Sequence, residues 1–144
     1  MNQIYSARSR RASGAQQYAR VDLESQVLAA RPEQLINLLF RGARTAVKKA
    51  QIHLDNGDVA QRGAMISKAV DIVDTGLKAA VNKEVGGEVS EHLIRSYELI
   101  VYHLLQANIR SDKSHLQTAE TMLKNLHEAW NEAVQLTQKE VATG

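Results

Sequence analysis

The chain has 144 residues, of which 44% are hydrophobic and 24% charged, with a formal net charge of +2 and no cysteine. This length suits a single domain, and the lack of cysteine excludes disulfide bonds, thiolate metal sites and thiol nucleophiles. No apolar run approaches the ~20 residues of a membrane span, and the N-terminus lacks the apolar region of a secretory signal. We therefore expect a cytoplasmic protein that does not insert into membranes.

The N-terminal segment is basic. Arg8, Arg10, Arg11 and Arg20 have no acidic residue among them, whereas the rest of the chain holds 14 basic and 16 acidic residues. The small polar composition of residues 1–14 predicts a mobile, solvated tail. Nucleic-acid binding by this tail is the alternative, but the few aromatics and the slightly acidic body argue against a nucleic-acid partner.

Residues 15–30 carry apolar side chains at irregular spacing, among them Tyr18, Leu23 and Val27. This pattern predicts a short helix followed by an extended strap, which needs a surface to lie on.

The first long helix is predicted to begin at Pro32, the only proline, and to end near Leu54, before Gly57. Asp58 has the side-chain oxygen that caps a helix, so a second helix is expected from there to about Asn82. Its two internal glycines make that helix locally soft.

Gly87 separates the second helix from a third, which is expected to run from Glu88 to about Asn108. Asp112 is predicted to cap a fourth helix that ends near Gln138. Apolar residues recur along this helix at steps of three and four, which predicts a bundle seam: Leu116, Ala119, Leu123, Leu126, Trp130 and Ala133.

Four helices with short connections predict an all-α fold, an antiparallel up-down four-helix bundle with a short N-terminal helix or strap. We expect one domain over residues 15–138, with mobile tails at residues 1–14 and 139–144.

The chain lacks the motifs of catalysis. A di-iron bundle needs glutamates three residues before histidines, and here only Asp112 and His115 approach that spacing, with Asp112 explained as a cap. Phosphate-binding and nucleophile-elbow motifs are absent as well. We therefore expect no enzyme activity, no metal site and no cofactor.

Two helices carry more apolar residues than one buried stripe requires. The surplus indicates binding of a partner's amphipathic helix in a groove, the alternative being a wide core contact covered by the strap. The residues are Leu35, Ile36, Leu38, Leu39 and Phe40 in the first helix, and Leu99, Ile100, Val101, Tyr102, Leu104 and Leu105 in the third.

Several short strings occur in a characteristic order: Tyr18-Ala19-Arg20, Glu24-Ser25-Gln26-Val27, Gln34-Leu35, Leu38-Leu39-Phe40-Arg41-Gly42, Lys68-Ala69-Val70-Asp71-Ile72-Val73, Gly76-Leu77, Leu105-Gln106-Ala107-Asn108 and Glu128-Ala129-Trp130. Through them the chain resembles the FliS family of flagellar secretion chaperones over residues 15–133. It departs from the family pattern at Arg41, where an acidic residue is common, and at Ser96, where an apolar residue is common.

The resemblance implies a cytosolic export chaperone that binds the C-terminal segment of flagellin. By holding this segment, the chaperone prevents premature polymerisation and helps deliver flagellin to the membrane protein of the flagellar type III export gate. Tyr18 matches a family tyrosine linked to an N-terminal cap over the groove. The candidate partner-binding residues are Tyr18, Leu23, Val27, Leu35, Leu39, Phe40, Ile72, Val73, Leu77, Tyr97 and Val101.

We hypothesise that the strap and the flagellin segment compete for one groove. A helical adaptor of another kind is the alternative, such as a chaperone for a different flagellar component or a regulator of the anti-anti-sigma type. The identity of the bound partner distinguishes these functions.

Overall fold

The computed structural model describes residues 31–84 and 86–143. All regular structure within these ranges is helical, which confirms the predicted all-α class. The helices are α1 (Pro32–Asp55), α2 (Val59–Asp71), a π-helix (Ile72–Lys78), α3 (Ala79–Glu84), α4 (Glu88–Arg110) and α5 (Lys113–Thr143). Because α2, the π-helix and α3 follow one another without a break, the helices form four rods.

The helix boundaries follow from local chemistry at their ends. At the start of α1, the Gln34 side chain accepts the N–H of Arg31 at 3.2 Å, which is half of a capping box without the hydroxyl partner. Gly57 has a φ of 72°, so the turn after α1 uses the left-handed conformation that glycine tolerates. Asp58 accepts the N–H of Gln61 at 3.3 Å, as the sequence predicts.

The turn between α4 and α5 is equally short. Ser111 takes a left-handed conformation with a φ of 52°, and the Asp112 side chain accepts the Ser114 N–H at 2.9 Å. This cap confirms the predicted role of Asp112. The predicted end of the last helix at Gln138 is too early, because α5 continues to Thr143. The predicted domain limits and tails otherwise stay predictions, and residues 1–14 lie outside the described ranges.

A π-helix interrupts the second rod, which the sequence does not predict. Within it Gly76 faces α1, where a Cβ on this glycine would lie 3.1 Å from Cδ2 of Leu39. The Thr75 hydroxyl donates to the carbonyl oxygen of Asp71 at 2.7 Å, a side-chain bond that competes with the backbone ladder. The π-helix therefore lies opposite Leu39 of α1, with Gly76 at the contact.

Side-chain contacts give the directions of neighbouring rods in the compact unit formed by residues 36–144. Asn37 of α1 contacts His127 of α5, and Arg44, two turns later, contacts Glu120. Residue numbers therefore rise along one helix as they fall along the other. The same holds for the second rod and α4, where Lys78 pairs with Glu98, and Arg62 reaches Asn108.

The core draws apolar side chains from all four rods. Three alanines of α1, Ala43, Ala46 and Ala50, are fully buried, and their small volume lets neighbouring helices approach closely. The large core side chains are Phe40, Val47, Ile66, Val73, Leu77, Ile100, Leu104, Leu116 and Leu123. No helix within the described ranges combines the length and apolar character needed to cross a membrane.

Arg62 is a buried cation of α2, with 7% of its surface exposed. Its guanidinium donates to the Asn108 side chain at 3.3 Å, to the Asn108 carbonyl oxygen at 3.2 Å and to the Ser111 hydroxyl at 3.1 Å. These acceptors lie at the C-terminal end of α4, where the helix dipole places partial negative charge. Arg62 therefore ties the second rod to the turn between α4 and α5.

Replacing Arg62 with alanine is expected to lower the free energy of unfolding by ~2–4 kcal/mol, because three hydrogen bonds from a buried guanidinium are lost. Arg62→Lys retains the charge without the planar fork and should cost less. Urea unfolding followed by circular dichroism measures both. A stability of Arg62→Ala within ~0.5 kcal/mol of the wild type would contradict this role.

The second rod contains two glycines, Gly63 and Gly76, that differ in the space available for a side chain. A Cβ at Gly63 meets nothing closer than the Asn108 side chain at 3.8 Å, whereas a Cβ at Gly76 meets Leu39 at 3.1 Å. Gly63→Ala is therefore expected to stabilise the fold by ~0.5–1 kcal/mol, and Gly76→Ala to gain less or to destabilise. Thermal unfolding of both variants tests this difference, and an equal gain at both positions would refute it.

Candidate functional site

An apolar groove of about 330 Å³ opens between α1, the second rod, α4 and the C-terminal half of α5. Among the described residues, no charged side chain lines it. The lining residues are Ile36, Phe40, Leu77, Ala80, Val81, Val89, Leu93, Tyr97, Leu126, Ala129, Trp130 and Ala133.

Helical spacing brings these side chains to one place. On α4, Val89, Leu93 and Tyr97 follow one another at steps of four, and on α1 Ile36 and Phe40 do the same. Residues four apart in a helix lie above one another on the same face. Each helix therefore presents a short apolar row to the same opening.

The groove has a buried floor and an exposed rim. Phe40, Leu77 and Tyr97 form the floor and are at most 4% exposed, whereas Val89 at the rim is 62% exposed. Trp130 is half-buried. Such an arrangement offers apolar area that a bound molecule would remove from water.

Aromatic contacts fix the floor. The Tyr97 ring centroid lies 6.4 Å from that of Phe40, and the rings are tilted by 47°. Burial raises the pKa of Tyr97 to about 12, so its phenol stays neutral at physiological pH. The floor therefore carries no charge.

His127 lies behind this floor. Its ring stacks on Phe40 with centroids 5.1 Å apart, and its Nε2 contacts the Asn37 side-chain oxygen at 2.6 Å. Arg44 lies 3.0 Å from the other ring nitrogen, Nδ1. The arginine can only donate, so Nδ1 accepts, and the proton of a neutral ring lies on Nε2. The spacing of residues around His127 in the sequence does not predict these contacts.

The predicted partner-binding residues separate into several groups. Phe40, Leu77 and Tyr97 line the apolar groove, whereas Val73 is fully buried in the core. Four more of the predicted residues are half-buried: Leu35, Leu39, Ile72 and Val101. The last three of these pack against the core. Tyr18, Leu23 and Val27 lie outside the described residues.

Several groove residues were missed because the sequence assigns them to the bundle seam. Leu116, Ala119 and Leu123 of that seam are fully buried, but Trp130 is half-buried and Ala133 is exposed. The N-terminal half of the seam is therefore buried in the core, and its C-terminal half lines the groove. Both halves have the same spacing of apolar residues, so the sequence does not predict where burial ends.

The surplus apolar residues of α4 also differ in their burial. Ile100 and Leu104 are fully buried, whereas Leu99, Tyr102 and Leu105 are each about half exposed, at 47%, 51% and 46%. These three form a second apolar stripe on the outer face of α4, away from the groove.

Within the described ranges, no group of three histidine or acidic side chains lies close enough together to hold a metal ion. His103 and His115 approach each other, with their Nδ1 atoms 2.9 Å apart. This pair is not part of such a group of three side chains in the described ranges.

Comparisons with known proteins match this chain over almost all of its helices. The family model described as "Flagellar protein FliS" covers residues 14–137. The chain is 44% identical over 121 residues to the flagellar secretion chaperone FliS of Salmonella typhimurium, covering 84% of this chain and 90% of the relative. Identity is 34% with FliS of Escherichia coli (85% and 90% covered) and 33% with FliSB of Pseudomonas aeruginosa (80% and 90% covered).

Acidification is expected to lower stability partly through His127. Burial first, and then Arg44 and Arg41, lower the pKa of His127 below its ordinary value of 6.5. The unfolded chain therefore takes up this proton at a higher pH than the folded protein, and stability is lost as the pH falls through about 6.5 towards the folded pKa. His103, whose pKa is lowered by burial and by His115, contributes in the same direction.

Urea unfolding at a series of pH values from 7.5 down to 5, at about half-unit steps, measures this loss. His127→Gln keeps polar hydrogen-bonding groups but does not titrate, so its stability should fall less steeply than that of the wild type. Equal slopes would show that His127 does not contribute.

Proposed function

Because the chain belongs to the FliS family of flagellar secretion chaperones, we propose that it binds the C-terminal segment of flagellin in the apolar groove. The family membership confirms that the chain is a chaperone and not an enzyme. The observation that carries the flagellin proposal is the apolar groove, whose floor is buried and whose rim is exposed.

The groove suits an amphipathic helix. Its volume of about 330 Å³ is at the small end of ligand pockets, so it holds the side chains of one helical face and not a folded domain. Each large side chain buried there contributes ~1.5–3 kcal/mol before the cost of ordering the segment is subtracted. Apolar residues three, four and seven positions apart in the partner would face the groove together.

Covering the apolar face of the flagellin segment is what prevents premature polymerisation in this proposal, because that face is then unavailable to other copies of flagellin. Binding in the cytosol and delivery to the membrane protein of the export gate complete the proposed cycle. The competition between the groove and the strap with Tyr18, Leu23 and Val27 remains a prediction.

A charge placed on the groove rim is expected to weaken flagellin binding. Val89 is at the rim and is 62% exposed, so Val89→Asp should fold normally but would bury an unpaired carboxylate in the complex. We expect an affinity loss of about tenfold or more, measured by isothermal titration calorimetry with the C-terminal flagellin segment from the same organism. A large negative heat-capacity change should accompany wild-type binding.

The matched control is Val59→Asp. Val59 is also 62% exposed and also lies in the first turn of a helix, but it does not line the groove. Its variant should bind as the wild type does. Equal losses in both variants would place the binding surface elsewhere, and a wild-type protein that binds another exported flagellar component but not flagellin would support the alternative client.

A further inference from the structure

A second cavity lies beside the apolar groove and has the opposite character. This basic pocket, of about 200 Å³, is lined by Arg41, Arg44, Thr45, Lys48 and His127. The proposed binding of an apolar helical face does not use it.

The cations of the basic pocket belong to one helix face. Arg41, Arg44 and Lys48 lie three, four and seven positions apart on α1, so they form a row of ~10 Å. Arg41 and Lys48 are exposed, and neither forms an ion pair with a carboxylate in the part of the chain that the structure describes. Their charges are therefore available to a partner.

Arg44 is held in place from within the protein. One guanidinium nitrogen contacts His127 at 3.0 Å, and another lies 3.6 Å from a Glu120 carboxylate oxygen. The second Glu120 oxygen and Nε of Arg44 are buried without a hydrogen-bond partner, so this pairing is only partial. The row consequently keeps a net positive charge despite Glu120.

The basic pocket and the apolar groove share a wall. The Phe40 ring lines the groove, and the His127 ring stacked on it at 5.1 Å lines the basic pocket. A polypeptide lying along the groove thus has the cation row next to it. This continuity favours a polypeptide over a free inorganic ion as the natural occupant.

We propose that the basic pocket binds carboxylate side chains of an acidic helical segment in a partner polypeptide, with Arg41 and Lys48 as the principal cations. Carboxylates three or four residues apart on a helix have the same spacing as the cation row. The inference extends the proposed function, because it assigns acidic residues beside the apolar face of the bound segment.

The test uses a probe that contains no flagellin sequence, so its failure is distinct from failure of flagellin binding. The probe is a synthetic alanine-rich helical peptide with glutamates at i, i+3 and i+7, and the reference is the same peptide with glutamines. At low ionic strength we expect the full-length protein to bind the glutamate peptide and not the glutamine peptide.

Adjacent lysines supply the control. Lys48 lines the basic pocket and Lys49, also exposed, does not. Lys48→Gln and Arg41→Gln should each weaken peptide binding roughly fivefold, and Lys49→Gln should leave it nearly unchanged. Equal losses for Lys48→Gln and Lys49→Gln would overturn the proposal in favour of diffuse charge attraction.

His127 supplies a local readout. Burial, followed by Arg44 and Arg41 from α1, lowers its pKa, and Glu128 from α5 raises it. Asn37 and the partly neutralised Arg44 contact its ring. A carboxylate in the basic pocket should therefore raise the pKa of His127, which NMR titration of the ring protons detects. Peptide binding without this change would overturn the proposal, as would inorganic phosphate binding more tightly than the peptide.

Discussion

The contact between the rings of Phe40 and His127 is the constraint on which both surfaces depend. Phe40 is buried between Tyr97 and His127, so it belongs to the core and also forms the floor of the apolar groove. His127 is held by Asn37 on one ring nitrogen and by Arg44 on the other. The stacked pair thus separates an uncharged cavity from a cationic one, and a shift of either ring would change both.

The groove remains open because small residues lie where a closed core would need large ones. Ala80, Ala129 and Ala133 line it, whereas the buried half of the same α5 seam has Leu116 and Leu123. Leaving apolar surface in contact with water is unfavourable, and a partner that covers it recovers that free energy. The proposed function rests on this unfilled space.

Two arginines show how the fold handles charge. Arg62 is buried and donates three hydrogen bonds to oxygens at the end of α4, so it joins two rods. Arg44 is only partly paired with Glu120 and belongs to a row whose other cations are exposed. The surroundings of each side chain, and not its type, decide whether it stabilises the fold or remains available for binding.

The four helical segments, the caps at Asp58 and Asp112 and the family could be predicted from the amino-acid order. Gly57, Asp58 and Asp112 act through neighbours a few positions away, so their roles can be read from local order. Three features depend on the folded chain: the apolar residues that stay uncovered, the π-helix opposite Leu39, and the contact between His127 and Arg44. Periodicity specifies which face of a helix is apolar. The covering of that face depends on side chains distant in sequence, which are brought next to it only when the chain folds.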